Sequence, residues 1–237
     1  MIYYIDHYNK RKEDIDMKKF SKYFDHTLLK PESTQADIKK LCKEAAEYDF
    51  ASVCINSCYV KTAAENLKNT HVKITSVAGF PLGAMTTEAK AFEIENALSD
   101  GANEIDIVIN IGALKDCRYD YIENELSVLS DLCHKQNAQI KVILETCLLS
   151  NDEIIKACEI ASSTGVDFVK TSTGFSEGGA YPHHVELMAK SSSDNVKVKA
   201  SGGIKTLEDA LKMIEAGADR LGCSASVSIM KDYLNKK

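Results

Sequence analysis

The 237-residue sequence contains no tryptophan, only three prolines, and no apolar run long enough to span a membrane. Its 29 basic and 35 acidic residues are interleaved, which leaves a net charge of -6 and no basic stripe of the kind that binds nucleic acid or an anionic membrane. We therefore expect neither nucleic acid nor a membrane as a partner. A small anionic substrate would have to be held by local geometry.

The cysteines also lack the patterns that mark disulfides or metal sites. Eight are present, but no two form a Cys-x-x-Cys pair and none has a pair of histidines nearby. Reduced thiols in a cytoplasmic protein are the simplest interpretation. The spacing gives no reason to expect a bound metal.

The first 19 residues differ in composition from the rest of the chain. A short apolar start precedes dense mixed charge, which is the wrong order for a secretory signal, and the acidic residues argue against a mitochondrial transit peptide. We predict an N-terminal extension over residues 1–19 that acts as a lid, a packing arm or a mobile tail. Residues 20–237 are expected to form one domain.

In that domain, short apolar strands alternate with helical patterns, and eight such pairs can be counted. Gly101, Gly165 and Gly217 each follow a helical pattern, while Ser33-Thr34 and Ser150-Asn151 supply helix N-caps. Strict alternation predicts a parallel sheet with right-handed crossovers. Eight units of this length fit an α/β protein with a closed (β/α)8 TIM barrel. A doubly wound open sheet is the alternative, but no G-x-G-x-x-G motif follows the first strand.

Two lysines fall where a barrel would direct them into its lumen, because alternate strand residues face inward. Lys170 ends the apolar strand VDFVK, and Lys199, with Lys197 on the same parity, lies in the next strand, VKVKAS. The same alternation directs polar side chains of two further strands inward: Ser52, Cys54 and Asn56, and Glu104, Asp106 and Asn110. Taken singly, a lysine near a strand end often extends to water. Convergence in one lumen favours a catalytic site.

Two adjacent ammonium groups suit Schiff-base chemistry. A lysine amine attacks a carbonyl only when it is unprotonated, and burial together with a neighbouring cation disfavours protonation. The protonated imine then acts as an electron sink, so that a carbon-carbon bond beside the former carbonyl breaks or forms. A carboxylate must move protons during these steps, and Asp106 is placed for this work.

Glycine and serine clusters follow the last strands. Ser201-Gly202-Gly203 comes after the seventh strand, Gly222-Cys223-Ser224 after the eighth, and Gly174 after the sixth. In barrels, the loops after strands seven and eight frequently bind phosphate through backbone N–H groups and a helix N-terminus. Each cluster alone is more often only a turn, but together they favour a phosphate site.

Seven ordered motifs resemble the deoxyribose-phosphate aldolase family. They are DHTLLKP (25–31), VCIN (53–56), VAGFPLGAMTTEAKAFE (77–93), GANEIDIVIN (101–110), VKTSTGF (169–175), VKASGGI (198–204) and RLGCSAS (220–226). The resemblance runs from about residue 20 to the end. It implies a class I lyase on a (β/α)8 barrel, without metal or cofactor. Such an enzyme cleaves 2-deoxy-D-ribose 5-phosphate to D-glyceraldehyde 3-phosphate and acetaldehyde in deoxynucleoside catabolism.

The resemblance also implies roles for single residues. Lys170 would form the Schiff base, Asp106 would transfer protons, and Lys199 would disfavour protonation of the nucleophile. The substrate-binding positions that it implies are Asp25 and Cys54 near the sugar, Thr173, and Gly174, Gly202, Gly203, Gly222 and Ser224 at the phosphate. It leaves open whether Tyr233 or the His183-His184 pair contributes, and whether the protein is a homodimer or a homotetramer.

Two other functions remain open at this point. Another phosphate-binding barrel lyase or isomerase would share the glycine loops without forming an imine with acetaldehyde. A non-catalytic barrel that only binds sugar phosphates would tolerate the loss of Lys170. The intact lysine pair disfavours the non-catalytic alternative.

Overall fold

The computed structural model describes residues 20–235, in which eight parallel strands close into a barrel in the order β1 to β8. The strands are β1 Phe24–Leu28, β2 Ser52–Ile55, β3 Lys73–Ala78, β4 Glu104–Val108, β5 Gln139–Ile143, β6 Phe168–Lys170, β7 Lys197–Ser201 and β8 Arg220–Cys223. Pairing of β1 with β8 closes the ring. The predicted TIM barrel is confirmed, and the open-sheet alternative is wrong. The predicted extension, residues 1–19, lies outside the described residues.

Helices connect successive strands and cover the outside of the barrel. They are α1 Gln35–Tyr48, α2 Val60–Leu67, α3 Thr87–Ser99, α4 Ile111–Lys115, α5 Tyr119–Lys135, α6 Asn151–Ser163, α7 Pro182–Ser191, α8 Leu207–Glu215 and α9 Ser226–Asn235. Short 3-10 helices also span Ser57–Tyr59 and Thr146–Leu148. Thr34 and Ser150 cap α1 and α6 as predicted, each in a capping box.

The apolar core lies between the barrel and its helices. Ile105 and Ile107 of β4 are fully buried and belong to this core, whereas Glu104 and Asp106 alternate with them on the other face of the strand. The outer face of β4 is therefore apolar, as expected for parallel strands covered by helices. The inner face is left to carry the charged side chains.

Two structural facts bear on the predictions made from composition. All eight cysteines are free. No helix within residues 20–235 has the length and apolarity needed to cross a membrane.

Candidate active site

The carboxylate of Asp106 lies at the centre of a buried charge cluster in the barrel lumen. Its Oδ2 atom accepts hydrogen bonds from Nζ of Lys170 at 2.8 Å and from Nζ of Lys199 at 2.7 Å. Lys170 and Lys199 are direct partners in the register between β6 and β7. Both lysines predicted to carry the chemistry are thus within hydrogen-bonding distance of Asp106.

A third lysine, Lys141 of β5, belongs to the same cluster. Its Nζ lies 3.0 Å from Oδ1 of Asp106 and 2.5 Å from Oε2 of Glu104, and its side chain is fully buried. Lys141 was not among the residues predicted from the sequence, although a signal was present. Lys141 stands between Ile140 and Val142 in QIKVILET, the same apolar setting as Lys170.

Asp25, Glu104 and Arg220 form a second set of ion pairs beside the lysines. Nη1 of Arg220 is 2.6 Å from Oδ1 of Asp25 and 3.2 Å from Oε2 of Glu104, and Lys199 lies 2.5 Å from Oδ2 of Asp25. The predicted position Asp25 therefore contacts Lys199 and Arg220 within this charge network. The sequence analysis did not single out Arg220, which pairs with β1 and β4 residues far away in the chain.

The ring of Phe168 forms a floor near the amino ends of the strands. Cationic groups of Arg220, Lys141 and Lys197 lie 5.4, 5.9 and 5.8 Å from its centroid, within the range of cation–π attraction. Lys197 is exposed at this end. Lys197 thus shares the inward face with Lys199, as the parity predicted, but it lies outside the charge cluster, because parity gives the face of a strand and not the depth along it.

Burial and ion pairing fix the charge states of this cluster. Burial alone would raise the pKa of Asp106, but Lys141, Lys170 and Lys199 outweigh it and hold that pKa well below its usual range. Burial would likewise raise the pKa of Glu104, but Lys141 and Arg220 lower it to about 2. Burial opposes the charge of Lys199, yet Asp106 and Asp25 raise its pKa above the ordinary value. Lys199 and the carboxylates therefore stay ionised at neutral pH.

The other side chains of β2 and β4 that were predicted to face inward fall into two groups. Some contact the charge cluster, and others bond to the connecting loops. Sγ of Cys54 lies 4.0 Å from Oδ2 of Asp106, and Oγ of Ser52 donates to Oδ1 of Asp25 at 2.6 Å. Asn56 instead donates to the carbonyl of Leu29, and Asn110 caps α4. The expectation that both asparagines join the lumenal cluster was wrong, because at the strand ends their amides serve the connecting loops.

The predicted phosphate loops have the backbone that an anion site needs. Gly174, Gly202 and Gly203 have φ angles of 86°, 86° and 79°, and a Cβ atom on Gly174 or Gly203 would meet nothing within 4 Å. Space is therefore open beside these two backbones. Ser224 is exposed just before α9, whose first turn lies at the positive end of the helix dipole. A cleft of about 440 Å³ lined mainly by residues from β1 to α1 also includes Ser224.

Gly222 has a different role from the other glycines. A Cβ atom there would lie 3.0 Å from Cε of Lys199 and 3.0 Å from Cβ of Ser201. A side chain at this position would crowd Lys199 where it crosses β8 toward Asp25. The predicted contact of Gly222 with phosphate stays a prediction, and its structural role is to make room for a lysine.

A sequence profile described as DeoC/LacD family aldolase matches residues 19–230. The chain belongs to this aldolase family. A relative named deoxyribose-phosphate aldolase from Clostridium novyi (strain NT) is 53% identical over 211 residues, which are 89% of this chain and 95% of the relative. One of the same name from Finegoldia magna is 54% identical, with 89% and 98% covered. A solved structure, described as a unique tetrameric structure of deoxyribose phosphate aldolase from Aeropyrum pernix, matches with a TM-score of 0.87 at 31% identity, covering 94% of each chain.

In this family member, the residues whose contribution the sequence left open lie outside the charge cluster. The ring of Tyr233 packs against Phe20, with centroids 4.4 Å apart, and Phe20 packs edge-on against Phe24 at the start of β1. His183 and His184 pack against Tyr181 at the start of α7. Neither set contacts the lumenal lysines in the described part of the chain.

Proposed function

We propose that this protein is a class I aldolase that reversibly cleaves 2-deoxy-D-ribose 5-phosphate to D-glyceraldehyde 3-phosphate and acetaldehyde. Family membership and relatives of 53% and 54% identity that bear the name deoxyribose-phosphate aldolase support the reaction. The lumenal lysines and their carboxylates support the Schiff-base mechanism. The small phosphorylated sugar is the substrate that this proposal requires.

The unequal pairing of the three lysines is the observation that carries the mechanism. Lys170 forms an ion pair with one carboxylate, whereas Lys199 contacts two and Lys141 contacts three. The side chain of Lys170 is also the only one of the three with measurable exposure, at 3%. The least compensated and most accessible amine is the one best placed to meet a carbonyl. Lys170 is therefore our choice for the nucleophile.

The charges of the cluster balance when Lys170 is neutral. Three cations, Lys141, Lys199 and Arg220, then face the three carboxylates of Asp25, Glu104 and Asp106. A protonated Lys170 gives these buried groups a net positive charge, although it pairs with Asp106, and a net charge inside a lumen of low dielectric is unfavourable. Lys73, half-exposed and 3.3 Å from Glu104, contributes less because water screens it.

Bond making and breaking then follow from this arrangement. The amine of Lys170 adds to the C1 aldehyde of the sugar, and loss of water gives a protonated imine. The bond between C2 and C3 breaks as the C3 hydroxyl loses its proton, so that glyceraldehyde 3-phosphate leaves and the bonding electrons form an enamine. Protonation of the enamine carbon and hydrolysis release acetaldehyde and the free amine.

Asp106 is the group that we propose moves protons in these steps. With three ammonium partners its carboxylate is a weak base. When Lys170 is neutral, one of these partners loses its charge, which raises the proton affinity of Asp106. Lys199, which donates to the same oxygen, keeps the carboxylate oriented.

The phosphate, the assembly and the location are further parts of the proposal. Backbone N–H groups near Gly174 and Gly203, with the first turn of α9, are proposed to hold the phosphate. A relative's structure is titled as tetrameric, and a homodimer or homotetramer is proposed here, to be tested by light scattering. The free thiols agree with a cytoplasmic location, which cell fractionation tests.

A product assay tests the proposed reaction. Purified protein incubated with 2-deoxy-D-ribose 5-phosphate should release acetaldehyde and glyceraldehyde 3-phosphate in equal amounts, and Lys170→Met should abolish the release. Conversion to an isomeric sugar phosphate without carbon-carbon cleavage would favour the isomerase alternative instead.

A further inference from the structure

Glu145, which follows β5, is a buried carboxylate without a role in the steps above. It is 1% exposed, and its backbone is left-handed, with φ 56° and ψ 60°. This conformation is uncommon for a residue with a Cβ atom and persists where surrounding contacts hold it. The contacts of its side chain show which segment the carboxylate holds in place.

The carboxylate of Glu145 binds the turn that follows β6. Both of its oxygens accept from the backbone N–H of Thr173 at 3.3 Å, and Oε2 also accepts a short hydrogen bond from the Thr173 hydroxyl. That hydroxyl accepts in turn from the N–H of Phe175 at 3.0 Å. The residues on both sides of Gly174 are thus fixed by one carboxylate.

Backbone hydrogen bonds anchor Glu145 itself to the strand that carries Lys170. The N–H of Leu144 donates to the carbonyl of Lys170 at 2.9 Å, and the N–H of Thr146 donates to the carbonyl of Thr171 at 2.9 Å. These bonds lie on either side of Glu145. The carboxylate therefore reaches the Thr173 turn from a base that is rigidly tied to β6.

Gly174 is the residue that this turn presents. Its φ of 86° is left-handed, the space beside its Cα is open, and its N–H has no hydrogen-bond partner within residues 20–235. A backbone N–H that has no internal partner and stands between two fixed neighbours is a pre-oriented donor for an anion. Gly174 lies four residues after Lys170, in the loop at the carboxyl end of β6, the end at which barrel enzymes bind their substrates.

We propose that Glu145 is a positioning residue that fixes the Thr173–Phe175 turn so that the Gly174 N–H binds the substrate phosphate. This inference rests on the proposed function. Glu145 has no contact with Lys170, Lys199 or Asp106 side chains in the described residues, so imine formation itself does not need it. Loss of its charge should weaken recognition of phosphate and leave the amine chemistry intact.

Glu145→Gln tests this separation, with Glu159→Gln, an exposed glutamate of α6, as the matched control. The glutamine keeps the shape but loses one acceptor oxygen and the charge that strengthen the bonds to Thr173. We expect the ratio of kcat/KM for deoxyribose 5-phosphate to kcat/KM for deoxyribose to fall about 10- to 100-fold, mainly through KM. Borohydride trapping with acetaldehyde, which carries no phosphate, should proceed at the wild-type rate.

A second variant shows whether Glu145 acts through Thr173. Thr173→Val removes the hydroxyl that joins Glu145 to Phe175, and should reduce the same ratio. The double variant should lose little more than Glu145→Gln alone, because coupled residues are not additive. If Glu145→Gln does not fold, as judged by circular dichroism, the selective loss must appear in Thr173→Val, and its absence there overturns the proposal.

Other outcomes also decide the question. A folded Glu145→Gln with an unchanged ratio, or with equal losses on both sugars and slower acetaldehyde trapping, overturns the positioning role alone. A wild-type protein that shows no preference for the phosphorylated sugar overturns the proposed function, and this inference with it.

Discussion

Replacing Lys199 with methionine should move the acid limb of the pH profile of kcat/KM upward. Lys170 and Lys199 both donate to Oδ2 of Asp106, at 2.8 and 2.7 Å, so their nitrogen atoms are at most about 5.5 Å apart. The raised pKa of Lys199 keeps it charged throughout the working range. Its charge therefore opposes protonation of Lys170 at every pH of interest.

The size of this effect follows from Coulomb's law. Two unit charges about 5.5 Å apart at an effective dielectric of about 20 repel each other by about 3 kcal/mol. That energy corresponds to about two pH units. Relaxation of the site after the lysine is removed reduces the effect, so we expect the acid limb to rise by about one to two units. The sign is upward because less repulsion lets Lys170 keep its proton to higher pH.

The assay combines a pH profile with trapping. Lys199→Met should show slower borohydride trapping at pH 7, with partial recovery at pH 9, where more of the amine is neutral. Lys197→Met is the matched control, since Lys197 is exposed on the same strand outside the cluster, and its limb should not move. Loss of activity in Lys199→Met without movement of the limb would refute the electrostatic role and assign Lys199 to substrate contact or structure.

Three further predictions concern stability and the phosphate. Lys141→Met should lower the free energy of unfolding in urea by about 3–5 kcal/mol, because buried carboxylates lose their cation. The half-exposed Lys156→Met should change it by less than about 1 kcal/mol. Equal effects would contradict this role of Lys141. The pKa of Glu104 is held at about 2. Its ionisation therefore stabilises the fold fully above the usual glutamate pKa, and this stabilisation is lost as the pH falls toward 2. The urea midpoint should fall over that pH window, and less steeply in Glu104→Gln. Gly203→Ala should lower the stability by about 1 kcal/mol, because the φ angle at this position is left-handed. It should also reduce kcat/KM for deoxyribose 5-phosphate more than for deoxyribose. An equal reduction for both sugars would place Gly203 outside the phosphate pocket.

Local pattern was enough to predict the barrel and the inward lysines. Each β-α pair is marked by a change of hydrophobic period within the sequence, and a strand's period of two decides which face Lys170 or Asp106 occupies. Both signals lie within about ten residues. Both signals can therefore be read from the sequence without knowledge of the tertiary contacts.

Depth along a strand and pairing across the barrel were not visible in this way. Lys197 and Lys199 have the same parity, but one lies exposed at the floor and the other at the centre. Lys141 showed the same apolar flanks as Lys170, yet its importance depends on carboxylates of β4, which only the closed sheet brings beside it.

Glu145 shows the same limit for loops. Its contact with Thr173 joins residues 28 positions apart, and its left-handed backbone has no marker in the sequence such as glycine or asparagine. Only the meeting of the turns after β5 and β6 identifies it as a positioning residue.

Mapping the trapped imine tests the central claim most directly. The protein is incubated with 2-deoxy-D-ribose 5-phosphate and borohydride, digested, and the modified peptide is identified by mass spectrometry. The charge cluster predicts a substrate-dependent addition on Lys170 and on no other lysine. Addition at Lys199 or Lys141, or active protein without any addition, would contradict the mechanism.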